Sequence, residues 1–302
     1  MRIVVALGGN ALLRRGQVPD ADAQRDNIVT AVHALAPLEA DHELVITHGN
    51  GPQVGVLAME SAADPRLTAP YPFDALGALT QGLIGYWLLQ SLQNALPHHR
   101  VASIINQTLV DGGDPAFEDP RKFVGEVYDE DEAKRLADTY GWQVRPDDGG
   151  WRRVVASPRP LAVVESDLIR DLLATGTLVV CAGGGGVPVV RDAITGDLRG
   201  VEAVVDKDLT AALLAERIGA DLLLVLTDVP AVIRGYGTAD ATPIRQAAPA
   251  QLRAEDFASG SMGPKVDAVC RFVERTGKAA AIGRLQDAVA VAGGSAGTLV
   301  RR

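Results

Sequence analysis

The residues best suited to chemistry fall into short glycine and lysine clusters: Gly8-Gly9-Asn10, His48-Gly49-Asn50-Gly51, Gly183-Gly184-Gly185-Gly186, and the pair Asp206-Lys207 with Gly263-Pro264-Lys265. Glycine lets backbone N–H groups approach an anion closely, and lysine adds a mobile positive charge. The combination suits a nucleotide and a second phosphorylated molecule. No cluster has the P-loop spacing, in which lysine directly follows the second glycine.

Phosphoryl transfer asks little covalent work of a protein: the reactants must be held in line and the charge on the moving group neutralised. Gly8-Gly9-Asn10 could present amide N–H groups to phosphate oxygens, or could be a plain strand-to-helix turn. The run from His48 to Gly55 places two glycines, an asparagine and a proline at an expected helix start, which brings backbone close to something small. His48 reads as a hydrogen-bonded structural residue, because transfer to an already ionised oxygen needs no general base. Lys207 could put its ammonium near the transferred phosphoryl with Asp206 holding it in place, where the plainer alternative is a surface ion pair. Lys265, at a second glycine-bearing helix start, strengthens the first alternative. Lys122, in Asp119-Pro120-Arg121-Lys122-Phe123-Val124-Gly125, is either a charged tip that closes over a site or a solvated lysine. Gly183 to Gly186 would contact nucleotide phosphate or ribose, or else form a flexible strand-end loop.

These clusters need a scaffold. Apolar, β-rich runs at 3–7, 43–47, 101–106, 178–182 and 222–227 alternate with expected helices at about 21–36, 52–63, 74–95, 131–140, 166–175, 207–218 and 265–276. Such alternation predicts a three-layer αβα sandwich on a mostly parallel sheet. Ligands then belong beyond the carboxyl ends of the strands, where the clusters after Leu7, Thr47, Ala182 and Thr227 fall. Residues 111–160 break the rhythm with Asp, Glu, Arg, Pro and Gly, including a turn at Asp147-Asp148-Gly149-Gly150, and read as a small projecting insertion in a single domain over 1–302. Residues 187–204 read as a hairpin or a pair of short strands around Thr195-Gly196-Asp197, leading into Asp206-Lys207.

The 302 residues, 47% hydrophobic and 22% charged, are enough for a substantial core. A formal net charge of −9 argues against a nucleic-acid partner, so any anion site must be locally basic. Cys181 and Cys270 lie far apart and outside C-x-x-C spacing, which suits buried small hydrophobes better than a disulfide or a zinc site. The apolar run at 3–7 is too short for a signal peptide core, and no stretch is long enough to span a membrane, so a cytoplasmic location without a membrane partner is expected.

The motifs Gly8-Gly9-Asn10-Ala11-Leu12, Thr47-His48-Gly49-Asn50-Gly51-Pro52-Gln53-Val54-Gly55, Gln81-Gly82-Leu83-Ile84-Gly85-Tyr86, the segments 151–158, 183–188 and 200–208, and Ser261-Met262-Gly263-Pro264-Lys265 run through nearly the whole chain. In that order they resemble the carbamate kinases of the amino acid kinase family. The first and last motifs are broadly shared among amino acid kinases, whereas the second motif and segment 151–158 are similar to carbamate kinases in particular. The resemblance implies an open αβα sandwich around a mainly parallel sheet of about eight strands, a projecting subdomain and a homodimer. It also implies Mg²⁺-dependent interconversion of ADP plus carbamoyl phosphate with ATP plus carbamate, commonly run toward ATP in arginine breakdown.

By the same resemblance, Gly8, Gly9, Asn10, Gly49, Asn50 and Gly51 would hold carbamoyl phosphate. Lys207 would bridge the transferred phosphoryl, Lys265 would neutralise nucleotide phosphates, Asp206 would organise the lysines, and Lys122 would reach in from the subdomain. Gly183, Gly184, Thr227, Asp228, Tyr236 and Met262 would meet the nucleotide, and no side chains are assigned as metal ligands. The family favours Pro-Thr-Lys-Pro-Ile-Gly where this chain has Pro120-Arg121-Lys122-Phe123-Val124-Gly125, so the rigidity of a second proline is missing. A kinase of a larger acid on the same fold, such as an acetylglutamate kinase, would need a wider acceptor pocket than the Gly49-Asn50-Gly51-Pro52 turn leaves. A nucleotide sensor without turnover would not need Asp206, Lys207 and Lys265.

Overall fold

Runs such as Leu222–Thr227 and Arg2–Leu7 are apolar at successive positions, so the sheet they form must be covered on both faces. The computed structural model describes residues 1–302 apart from 15, 148, 239 and 258–261, and of Asn10 it describes the backbone alone. Asp148 of the expected turn, Ser261 of the last motif and the Asn10 side chain therefore lie outside the described residues.

Among the described residues, eight strands form the main sheet, in the order Gln246–Ala247, Thr298–Val300, Ala279–Arg284, Leu222–Thr227, Arg2–Leu7, Glu43–His48, Thr177–Val180 and Arg100–Ser103. Every neighbouring pair is parallel except Thr298–Val300 against Ala279–Arg284. Helices α1 (Ala21–Glu39), α2 (Gly51–Ala63), α3 (Phe73–Ala95), α4 (Glu130–Tyr140), α5 (Ser166–Ala174), α6 (Lys207–Arg217), α7 (Pro249–Arg253), α8 (Met262–Thr276) and α9 (Ala288–Ala292) complete the elements used below.

Alternation along the strands decides which helices they meet. Val4, Ala6, Val45, Leu223 and Val225 share one core with α5, α6 and α8. Ile3, Val5, Leu7, Ile46 and Leu224 share the other with α1, α3 and α9. This is the αβα sandwich the sequence pattern predicts. The strand expected at 101–106 is Arg100–Ser103, and Asn106 instead bonds Gln81 through its backbone and accepts from Ala182 N through Oδ1. Helix α8 starts at Met262, which puts Lys265 inside its first turn.

Strands Gln107–Val110 and Pro160–Val163 pair antiparallel, so the chain leaves the main body and returns to it side by side. Between them, Lys122–Tyr128, Gln143–Asp147 and Gly150–Val155 form a separate antiparallel sheet carrying α4. Asp129 caps α4 by accepting from Glu132 N, and Gly141 at φ 69° ends it. The hairpin read around Gly196 is present, as Val187–Arg191 paired with Leu198–Gly200.

Candidate active site

Sheet order brings the glycine clusters together. Leu222–Thr227, Arg2–Leu7, Glu43–His48 and Thr177–Val180 are neighbours, so Thr227, Gly8, Gly49 and Gly183 lie in that order along one edge. Gly8 N donates to Leu226 O at 2.9 Å, and Gly49 N donates to Leu7 O at 3.1 Å. A Cβ on Gly49 would stand 3.2 Å from Gly9 N and 3.3 Å from Lys207 Cδ, so a side chain there would push the first loop or the lysine stem aside by a few tenths of an ångström.

Helix α2 begins in this crowd and opens toward it. Asn50 is its N-cap residue, but its amide donates to Thr80 Oγ1 at 2.8 Å and does not cap the helix. A Cβ on Gly51 would meet nothing within 4 Å. The Asn50 side chain thus leaves the N-terminus of α2 uncapped, and such helix starts suit a small anion.

Helix α6 supplies the charge. Asp206 Oδ1 accepts from Asp208 N at 3.0 Å and Leu209 N at 3.2 Å, which caps the helix, while Oδ2 accepts from Lys122 Nζ at 2.8 Å. Asp208 is buried and takes two ammoniums: Lys207 Nζ at 2.6 Å on Oδ1 and Lys265 Nζ at 3.2 Å on Oδ2. Three lysines thus face two aspartates at a helix N-terminus, leaving net positive character for a phosphate.

The ionisation behaviour agrees with this arrangement. Burial alone would raise the Asp208 pKa, but Lys207 and Lys265 outweigh it and hold the carboxyl well below its ordinary range. Burial lowers the Lys207 pKa, with Lys265 pushing the same way and Asp208 opposing. For Lys122, burial pulls down, but Asp206 by charge and hydrogen bond, with Asp208 behind it, carries the net shift upward.

His48 is buried, with Nδ1 at 2.9 Å from Gly49 O, where the ring N–H donates. Burial brings its pKa down to about 4, against the Gly49 hydrogen bond and helped by nearby Lys207. It is therefore neutral at pH 7 and packed beside Gly49 and Gly183.

Residues 1–283 match the amino acid kinase family. The chain belongs to that family. It is similar to carbamate kinase from Rhizobium meliloti, 50% identical over 302 residues that cover 99% of this chain and 93% of the relative. Carbamate kinase from Haemophilus influenzae is 47% identical over 303 residues, covering 100% of this chain and 97% of the relative. The solved structure of carbamate kinase from Giardia lamblia bound to AMP-PNP superposes with a TM-score of 0.90 at 38% identity, covering 99% of this chain and 98% of that one. This amino acid kinase is an enzyme, and its fold is that of the family.

Within this amino acid kinase the geometry redistributes some of the expected contacts. Asp206 was read as the partner of Lys207, but it holds Lys122, and Asp208 holds Lys207 and Lys265. The sequence signal was the second acid of Asp206-Lys207-Asp208, and spacing alone does not say which acid turns inward.

Gly183 and Gly184, expected to meet the nucleotide, are placed by the strand order. They sit on the flank opposite Thr227, with the Gly8 and Gly49 loops between. Both are buried: a Cβ on Gly183 would stand 2.4 Å from the His48 ring, and one on Gly184 2.2 Å from Asn50 Nδ2. Gly185 O accepts from Thr108 Oγ1 at 2.7 Å and from Thr210 Oγ1 at 3.0 Å, tying the same turn to α6. This turn packs closely against the His48 and Asn50 side chains and helps to fix both beside Gly49. Thr227 lies at its strand end and donates through Oγ1 to Asp228 Oδ1 at 3.1 Å. Asp228 is exposed and Tyr236 strongly so, while Met262 packs partly against the core.

Proposed function

We propose that this kinase moves a phosphoryl group reversibly between carbamoyl phosphate and ADP, giving carbamate and ATP. The observation that carries the reading is the narrowness of the acceptor turn, where even a Cβ added to Gly49 would stand within 3.3 Å of Gly9 and of the Lys207 stem. Such a turn suits an acceptor as small as carbamate, in line with the substrate named for the full-length relatives.

A β-phosphate oxygen of ADP attacks phosphorus, the phosphorus–oxygen bond to the carbamoyl group breaks, and its electron pair leaves with carbamate. Both oxygens are ionised at neutral pH, so no proton need move and no general base is called for. Gly8, Gly9, Asn10, Gly49, Asn50 and Gly51 hold the carbamoyl phosphate end. Lys207 neutralises the moving phosphoryl, Lys265 the nucleotide phosphates, and Lys122 closes from the insertion at 111–160, which acts as a projecting subdomain. Thr227, Asp228, Tyr236 and Met262 form the nucleotide side.

Asp206 and Asp208 are turned on lysines, so a Mg²⁺ ion accompanying the nucleotide would draw its ligands mainly from phosphate oxygens and water. Its chemistry would be added neutralisation of phosphate charge. We place the enzyme in the cytoplasm as a homodimer working toward ATP in arginine breakdown. No helix among the described residues is long and apolar enough to cross a membrane.

The test is a substrate panel on purified protein with Mg²⁺, following ATP formed from ADP and carbamoyl phosphate. Turnover is expected. Faster phosphorylation of N-acetylglutamate or acetate than of carbamate would replace this reading with that of another small-acid kinase, and nucleotide binding without turnover would replace it with that of a sensor.

A further inference from the structure

Lys122 can reach Asp206 only if the small sheet that carries it is held at a fixed angle to the main body. The usual second proline is absent from its segment, so the constraint must come from elsewhere. In the antiparallel ladder Lys122 pairs with Val155 and Val124 with Arg153. Paired residues project to the same face and the face repeats every second residue, so Lys122, Val124, Arg153 and Val155 all leave the sheet on one side. Val124 and Val155 pack there with Val54 and Ala58 of α2 and with Phe73 and Leu76 of α3, which makes this the face turned to the main body.

Arg153 is the charged member of that face. Its guanidinium lies 4.4 Å from the Trp142 ring centroid, on the insertion, and 4.7 Å from that of Phe73, the first residue of α3. Glu202 Oε1 stands 3.7 Å from it, too far for a hydrogen bond, while Glu202 Oε2 accepts from Phe73 N at 2.9 Å. One cation therefore joins an aromatic ring on the insertion, an aromatic ring on the main body and the carboxylate that caps α3. Its side chain is only 16% exposed, and burial draws its pKa down to about 10 against Glu202 and Tyr128, so it stays charged at neutral pH. A stacked guanidinium in a dry site fixes orientation more strictly than aliphatic packing, because the planar cation must lie over both rings.

We propose that Arg153 is a positioning residue for phosphoryl transfer: clamped between Trp142 and Phe73, it sets the insertion against the main body and thereby sets the reach of Lys122 to Asp206. This rests on the reading that Lys122 serves the transfer. Arg153 itself touches no reacting atom in this account and acts through Lys122.

The test is a double-mutant cycle with Arg153→Met and Lys122→Met, read in steady-state kcat for ATP formation. Arg153→Met is expected to lower kcat about tenfold in the otherwise native enzyme and less than about twofold when Lys122 is already Met, since contacting or mechanically linked residues are non-additive. Arg153→Lys keeps the charge without the flat fork and should fall between, with the same loss of effect in the Lys122→Met background. It carries the cycle if Arg153→Met does not fold. Equal losses in both backgrounds would make Arg153 a general structural residue and overturn the proposal while leaving the role of Lys122 standing. If Lys122→Met turns over like the native enzyme, the reading of Lys122 fails, and the proposal fails with it.

Discussion

The two flanks of the active site are built differently. On the proposed acceptor flank, His48, Asn50, Gly183 and Gly184 are buried, with Gly183 packed against His48 and Gly184 against Asn50, and with Thr80 and Gln81 of α3 behind them. On the proposed nucleotide flank, Asp228 and Tyr236 face solvent, while Thr227 is buried and Met262 packs partly against the core. A small, nearly featureless acceptor can be recognised only by shape, which demands a rigid wall. A nucleotide offers phosphates, sugar and base, so several looser contacts suffice. The Lys207 stem runs beside Gly49 while its ammonium shares Asp208 with Lys265, so it bridges the two flanks.

The largest expected effect tests that intermediate position. Lys207→Ala should lower kcat by about 10²–10³, the usual loss when a donor aimed at developing charge is removed, while calorimetry still finds ADP bound. Loss of ADP affinity with kcat unchanged would assign Lys207 to the nucleotide flank.

Next comes the rigidity of the acceptor wall. Gly184→Ala must adopt φ 63° and drive a methyl to within 2.2 Å of Asn50 Nδ2. A cost of about 3 kcal/mol in unfolding free energy is expected from strain and overpacking together, with a raised KM for carbamoyl phosphate and an unchanged KM for ADP. A variant as stable as the native protein would show that the wall yields.

A smaller effect follows from His48, whose folded pKa lies at about 4, below its ordinary value of 6.5. The unfolded chain takes up a proton there that the folded chain refuses, so this contribution is complete above pH 6.5 and is lost as pH falls toward 4. Between pH 7.5 and pH 5 it amounts to about 2 kcal/mol. Denaturation at the two pH values should show His48→Gln losing that much less stability than the native protein.

The smallest effect belongs to the open flank. Tyr236 is 74% exposed, so Tyr236→Ala should change unfolding free energy by no more than about 0.5 kcal/mol. It should raise KM for ADP a few-fold and leave KM for carbamoyl phosphate alone. A rise in the latter would remove the distinction between the flanks.

Much of the scaffold was legible in the chain. Strands buried on both faces must be continuously apolar, and 3–7 and 222–227 announced themselves for that reason. Gln246–Ala247, Thr298–Val300, α7 and α9 did not, because two to five residues are too few to display a period. Within the site, the glycine and lysine positions were legible as residue types but their neighbours were not. Gly183 and Gly184 resembled a phosphate loop, while their tight contacts with His48 and Asn50 arise from the side-by-side placement of strands Glu43–His48 and Thr177–Val180. Arg153 stood within the flagged segment 151–158, but an arginine in a β-run says nothing about which rings will close over it.

The sequence by itself therefore determined the sandwich, its two buried faces, the strand ends that gather glycine, and the lysines able to meet phosphate. All of these follow from local composition and periodicity. Tertiary structure alone decided which aspartate holds which lysine, which flank each glycine turn joins, and how the insertion is pinned. Those are matters of strand order and side-chain direction across 57 to 84 residues of chain, as in the Lys265–Asp208 and Lys122–Asp206 pairs, and no local pattern encodes them.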